Sequence, residues 1–270
     1  MLGIALIAGL CMWSLGLAPG VLFDSSFRFA GKFFASAFQP ALVYEDPLPG
    51  TPRPFLIDAL FSLAATFRLA LLAMCVSVPC GAVLAIFASS AWWPDLKRHP
   101  ALTIPLRALY YSSRAFIAFA RSIHELLWGL LFITAIGLST GAAIAAVAIP
   151  YSGILAKIYA EMLEEHSRDS QNALRAVGAS GLAGFAYGLL PRALPDLISY
   201  SFYRLECALR SAAVFGFIGV ETIGTKIFFA TQDRHYSEVW TYLYLLVGAC
   251  ALLEWWGHAI RRRIKPEPSN

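Results

Sequence analysis

Charge is scarce in this 270-residue chain: 14% of its residues are charged, whereas 58% are hydrophobic and the mean hydropathy is +0.62. A soluble domain carries about 25% charged residues, so the composition argues against a water-soluble fold and for a polytopic membrane protein. A formal charge of +4 gives no support to nucleic-acid binding. The five cysteines lie in or beside apolar stretches and form no CxxC or Cys/His cluster, so they read as buried, unpaired thiols rather than metal ligands. No H-x-x-x-H, H-E-x-x-H or DxxD arrangement occurs, which argues against a membrane enzyme. The phosphate-binding pattern G-x-x-x-x-G-K-[ST] is also missing, since Gly31-Lys32 and Gly224-Thr225-Lys226 lack its flanks. Without an internal repeat or a glycine-rich linker, one membrane domain is the economical reading.

What is present is a series of apolar windows of roughly 20 residues, near 2–22, 57–90, 115–137, 142–163, 195–220 and 238–260. They predict an all-α integral membrane protein of about six transmembrane helices. Residues 1–22 lack the basic start of a secretory signal and read as a kept helix, with a signal anchor as the alternative. The stretch 40–54 carries five prolines and predicts an extracytoplasmic loop, so 1–56 separates as a helix plus loop from a main domain at 57–270. Basic residues distribute unevenly. Lys97, Arg98, Arg107, Arg114, Arg168, Arg175, Arg192, Arg261, Arg262, Arg263 and Lys265 fall on one side, and Arg28, Lys32, Arg53, Lys226 and Arg234 on the other. The positive-inside rule then puts both termini in the cytoplasm.

The segment 172–191, NALRAVGASGLAGFAYGLLP, lies on that basic side between two spans. Its four glycines and its polar residues make it a poor span. The layout is NAL at 172–174, Gly178 after three residues, and Leu190-Pro191 after eleven more. This predicts a helix, a turn at Gly178, and a second helix that stops where the next span begins at Pro191.

The pattern resembles the coupling loop of binding-protein-dependent ABC importers, written EAA, three residues, Gly, nine residues, Ile, one residue, Leu-Pro. Ala173, Gly178, Leu190 and Pro191 fit it, whereas Asn172, Leu174 and Gly188 stand where it has Glu, Ala and Ile. The runs RSIHELLWGLLFITAIGL, KIYAEMLEE, YGLLPRALPDLISYSFYRLE and RSAAVFGFIG extend the resemblance to permeases of the phosphonate importer family over about 57–260. The chain departs from that family at Val220-Glu221-Thr222, where relatives tend to be glycine-rich.

The resemblance implies a type I ABC importer permease fold in a bacterial inner membrane, with a coupling-helix loop near 165–191. It implies no cofactor on this chain, with ATP and Mg held by a cytoplasmic ABC ATPase dimer. An extracytoplasmic solute-binding protein and a second permease copy or paralogue complete the implied partners, besides membrane lipid. Asn172, Ala173, Leu174, Gly178, Leu190 and Pro191 would meet the ATPase. The expected cargo is phosphonate or a related phosphorus oxyanion, the alternatives being another small solute or a secondary transporter.

Charged residues in or beside spans are expensive and need a partner or a wet cavity. Arg121 and Lys157 read as snorkelling side chains near cytoplasmic ends. His124 and Glu125 read equally as an interhelical contact or as part of a pathway. Arg204, Glu206 and Arg210 fall within seven residues. Glu206 and Arg210 are spaced for an i,i+4 pair and Arg204 points elsewhere, which leaves a structural ion pair and a substrate contact both open.

Overall fold

The computed structural model describes residues 2–14, 26–46, 53–91 and 100–264, and no strand occurs among them. The helices are α1 (Leu2–Ser14), α2 (Ser26–Ser36), α3 (Phe55–Ala88), α4 (Pro100–Ser122), α5 (Glu125–Ile136), α6 (Thr140–Glu165), α7 (Asp169–Ala176), α8 (Leu190–Val214), α9 (Ile223–Gln232) and α10 (Tyr236–Ile264). Lys97, Arg98, Lys265 and residues 47–52 of the proline-rich stretch, like residues 15–22 of the first window, lie outside the described residues.

Small residues bring the central helices together. α3 packs most extensively on α6, because Gly81 leaves room for Leu155: a Cβ there would stand 2.8 Å from the leucine Cβ. Gly153 does the same for α4, with Ala120 Cβ 3.0 Å from the same construction. Such close backbone approach substitutes for a hydrophobic drive that lipid does not supply. The candidate span in α6 is 61% buried and that in α10 only 6%, so α6 is the axis and α10 the rim. At 1.5 Å per residue, α3 is about 51 Å long, more than a hydrocarbon layer of about 30 Å needs.

Among the described residues, three helices, α3, α6 and α10, are each long and apolar enough to cross a membrane, and each of two bent pairs adds one candidate. The window 115–137 is one such pair and not a straight span: α4 and α5 meet at 89°. The cause is local. His124 is extended (φ −64°, ψ 144°) and its Nδ1 accepts from the Leu126 N–H at 3.3 Å, capping a new helix where the old one ends. His124 and Glu125 therefore sit at an elbow rather than within a through-going helix. The second pair bends by 47° between 181–218 and α9.

Part of the loop expected before residue 57 is helical. α2 lies against α10, where Trp240 Nε1 donates to the Phe33 carbonyl at 2.7 Å and Tyr244 OH to that of Ala37 at 2.7 Å. Glu45 and Glu238 extend the contact, the Glu45 N–H donating to the Glu238 carboxylate at 2.8 Å. Tyr44 donates to Asp58 at 3.0 Å, and burial together with that bond pushes its phenol up to about 12.

Candidate functional site

The expected coupling segment is helix, turn, helix. α7 ends in a Schellman motif: Ala179 N–H donates to Leu174 O and Gly178 N–H to Arg175 O, both at 3.0 Å. Gly178 takes φ +93°, a left-handed conformation that a side chain disfavours. Ser180 then caps the next helix, its Oγ accepting from Ala183 N–H at 3.2 Å.

The second helix does not stop at Pro191, contrary to the sequence expectation. A turn at Gly181–Ala183 passes into a π-helical stretch, Gly184–Leu189, which runs into α8 without a break. Proline lacks an N–H and its ring would strike the carbonyl four residues back. The wider turn, with Leu190 N–H reaching Phe185 O, accommodates both. Gly188, where the family pattern has Ile, lies on Gln171: a Cβ there would be 2.9 Å from the Gln171 Cα.

Gln171 was invisible to motif reading. It is 1% exposed, and its Nε2 donates to the Ala91 carbonyl at 2.7 Å, tying α7 to the end of α3. The only available signal was a polar residue directly before Asn172. Of the six residues expected to meet an ATPase, Asn172, Ala173, Gly178 and Pro191 are exposed, and Leu174 and Leu190 are half-buried. Beside them Val177 is 82% exposed, Leu182 62% and Tyr187 80%. Apolar side chains projecting this far are a surface for something else to cover.

The four charged candidates inside the spans separate into two groups. Glu125, at the α4–α5 elbow, accepts from Ser211 Oγ at 2.7 Å, and that hydroxyl meets Tyr151 OH at 2.9 Å. The Arg204 guanidinium carbon stands 5.1 Å from the centre of the Tyr151 ring and 5.9 Å from that of Tyr200. Its Nε is buried without a hydrogen-bond partner. Glu125 and Arg204 thus share one polar cluster spanning α5, α6 and α8. Tyr151 and Ser211 link it, and only a phenol and a hydroxyl in otherwise apolar helix stretches hinted at them.

Glu206 and Arg210 stand apart from that cluster, 3.2 Å from each other in the expected i,i+4 pairing. Arg210 is 54% exposed, and the pair faces Glu254 and Arg261 of α10 across a cavity of about 250 Å³.

Val220-Glu221-Thr222 has a structural role. Thr222, 2% exposed, begins α9 with a capping box: its N–H donates to Thr225 Oγ1 at 3.2 Å. Thr66 Oγ1 accepts the Ile223 N–H at 2.8 Å, fixing that turn to α3. Among the described residues, no group of three or more metal-ligating side chains converges.

Residues 101–266 match the family described as binding-protein-dependent transport system inner membrane component. A Stutzerimonas stutzeri protein, provisionally named a phosphite transport system permease, is 36% identical over 53% of this chain and 55% of its own length. An Escherichia coli K12 protein, provisionally named a cryptic phosphonate transport system permease, is 32% identical over 43% of this chain and 96% of its own length. The chain thus spans about half the length of the first relative. A crystal structure of an amino acid ABC transporter with histidines superposes with a TM-score of 0.65 at 17% identity, over 77% of this chain and 95% of that one, a likeness of fold. The chain is a member of the family of inner-membrane components of binding-protein-dependent transport systems.

Proposed function

We propose that this chain is the membrane-spanning subunit of an ATP-driven importer of phosphorus oxyanions, with energy supplied by a separate cytoplasmic ATPase dimer that holds ATP and Mg. The observation that carries the reading is the projection at 169–189, with its exposed Val177, Leu182 and Tyr187. A groove on the ATPase covers these side chains. Residues 181–214 run as one unbroken helical stretch through the π-helical turns into α8, so movement at Ser180 passes along a helix toward Arg204. Arg204 lies 24 residues further on, about 36 Å along that helix.

Cargo identity follows from shared chemistry. One relative is named for phosphite and the other for phosphonate, and both ions present a phosphorus centre with anionic oxygens. Arginine suits such an oxyanion through its fork of donors, and Arg204 forms no ion pair among the described residues. An extracytoplasmic solute-binding protein delivers the ion, a second permease copy or paralogue completes the pore, and both termini face the cytoplasm. The functional division is an N-terminal part, 1–56, and a transport domain, 57–270.

The test is purification of the tagged chain from its native membrane, followed by growth of a deletion strain on phosphite or a phosphonate as sole phosphorus source. The reading requires a co-purifying ATPase and a growth defect reversed by the intact gene. Purification without an ATPase together with unimpaired growth on both sources would overturn it.

A further inference from the structure

Away from the Arg204 cluster, α3, α4 and α6 enclose a cavity of about 170 Å³ lined by Ala88, Arg114, Arg121, Lys157 and Glu161. It lies toward the end of the bundle from which α7 projects. Ala88 is the last residue of α3, and Lys157 is eight residues, about 12 Å, before the end of α6. Lys157 is also about 120° around α6 from Tyr151, so the cavity opens on a different face from the Arg204 cluster.

Its charges do not balance. Arg114 is paired with Glu164 at 3.3 Å and its Nε donates to the Ala88 carbonyl at 3.2 Å. Lys157 is paired with Glu161 at 3.2 Å. Arg121 meets no carboxylate among the described residues, which leaves three cations against two anions. An unmatched arginine beside a membrane helix is costly unless water or an anion reaches it. Basic recesses between helices near a membrane surface are a setting in which lipid head groups bind.

We propose that this cavity binds a singly charged phosphate group between Arg121 and Lys157. One negative charge neutralises the surplus, which matches a phosphodiester head group or dihydrogen phosphate. The volume accepts the phosphate itself, and an acyl chain on a lipid would extend outward along the apolar flank of α4. The inference goes beyond the transport reading and does not depend on which solute is carried.

The test adds phosphatidylglycerol, phosphatidylcholine or labelled inorganic phosphate to the delipidated full chain and reads adducts by native mass spectrometry and retention by equilibrium binding. We expect retention of phosphatidylglycerol over phosphatidylcholine, falling roughly fivefold for each basic side chain removed in Arg121→Gln and Lys157→Gln. Arg121→Lys and the tail variant Arg262→Gln should retain it. Phosphate retention with the same dependence, but no preference between the two lipids, would identify the free ion as the ligand. Retention of neither, or retention indifferent to Arg121 and Lys157, overturns the proposal. Should the glutamine variants not fold, a photoreactive phosphatidylglycerol on the unaltered chain decides: it should mark 114–121 and 157–161, and marking confined to the C-terminal arginines contradicts the site.

Discussion

The two ends of the long helix that contains α8 are finished with the same backbone device in opposite surroundings. Before it, Gly178 takes φ +93°, and a Cβ there would meet nothing within 4 Å. After it, Gly219 takes φ +96°, with Leu138 3.3 Å from its Cβ position, and the neighbouring turn is closed by backbone on backbone. A Cβ at Gly224 would lie 1.8 Å from Ala213 O, and one at Gly216 2.1 Å from Thr225 N. A left-handed glycine in the open ends a helix while leaving its surface available. The same turn packed by two more glycines makes a fixed end. The first turn is open to a partner, the ATPase on the reading proposed above, and the second is closed by its own packing.

The sharpest way to break that contrast is at the packed end. Gly224→Ala drives a methyl group into a carbonyl that cannot move alone, and overpacking of this kind is typically destabilising by about 1–3 kcal/mol or more. Folded, membrane-inserted protein, read by fluorescence-detected size exclusion, should fall to a small fraction of normal. Near-normal yield would show that the turn is not rigid.

Gly188→Ala comes next. Its methyl group would stand 2.9 Å from the Gln171 Cα, but the neighbour is a short surface helix that can shift. We expect a melting temperature lowered by several degrees, in line with a loss of about 1–2 kcal/mol, with the protein still inserted. An unchanged melting temperature together with normal uptake would separate the π-helical stretch from the mechanism.

At the open turn, Gly178→Asp meets no steric obstacle and pays only for a left-handed conformation, about 1 kcal/mol. Abundance should therefore stay close to normal while solute uptake is lost, because the added charge lies where the ATPase is expected to dock. Normal uptake would remove Gly178 from the coupling surface.

The smallest effect is expected at Glu206 and Arg210. The pair opens on the polar cavity it shares with Glu254 and Arg261, and with water in that cavity an i,i+4 pair is worth about 0.3–0.5 kcal/mol. Glu206→Ala and Arg210→Ala should lower the melting temperature by a degree or two, and Glu206→Arg combined with Arg210→Glu should recover part of that. A swap no better than either single change would mean that the two side chains do not act as a unit.

Local pattern made much of this architecture legible. The turn at Gly178 follows from a glycine set between two helical runs, and the Glu206–Arg210 pair and the separation of Arg204 from it follow from spacing along one helix; the structure has each of them. What hydropathy could not supply was direction. The window 115–137 is continuous in apolarity, but His124 caps a new helix at 89° to the old one, and a sliding average does not register a cap. The π-helical passage through Pro191 depends on Gln171 and Gly188 meeting across a turn. The link from Glu125 through Ser211 and Tyr151 to Arg204 joins three helices that are distant in sequence. Such contacts exist only once the helices have packed.

The most direct test of the account is transport in proteoliposomes carrying this chain with its co-purified ATPase and binding protein. Labelled phosphite or phosphonate should accumulate only when ATP is supplied on the side bearing the projection, and the Gly178→Asp complex should fail to accumulate it. Accumulation driven by an ion gradient without ATP would contradict the account.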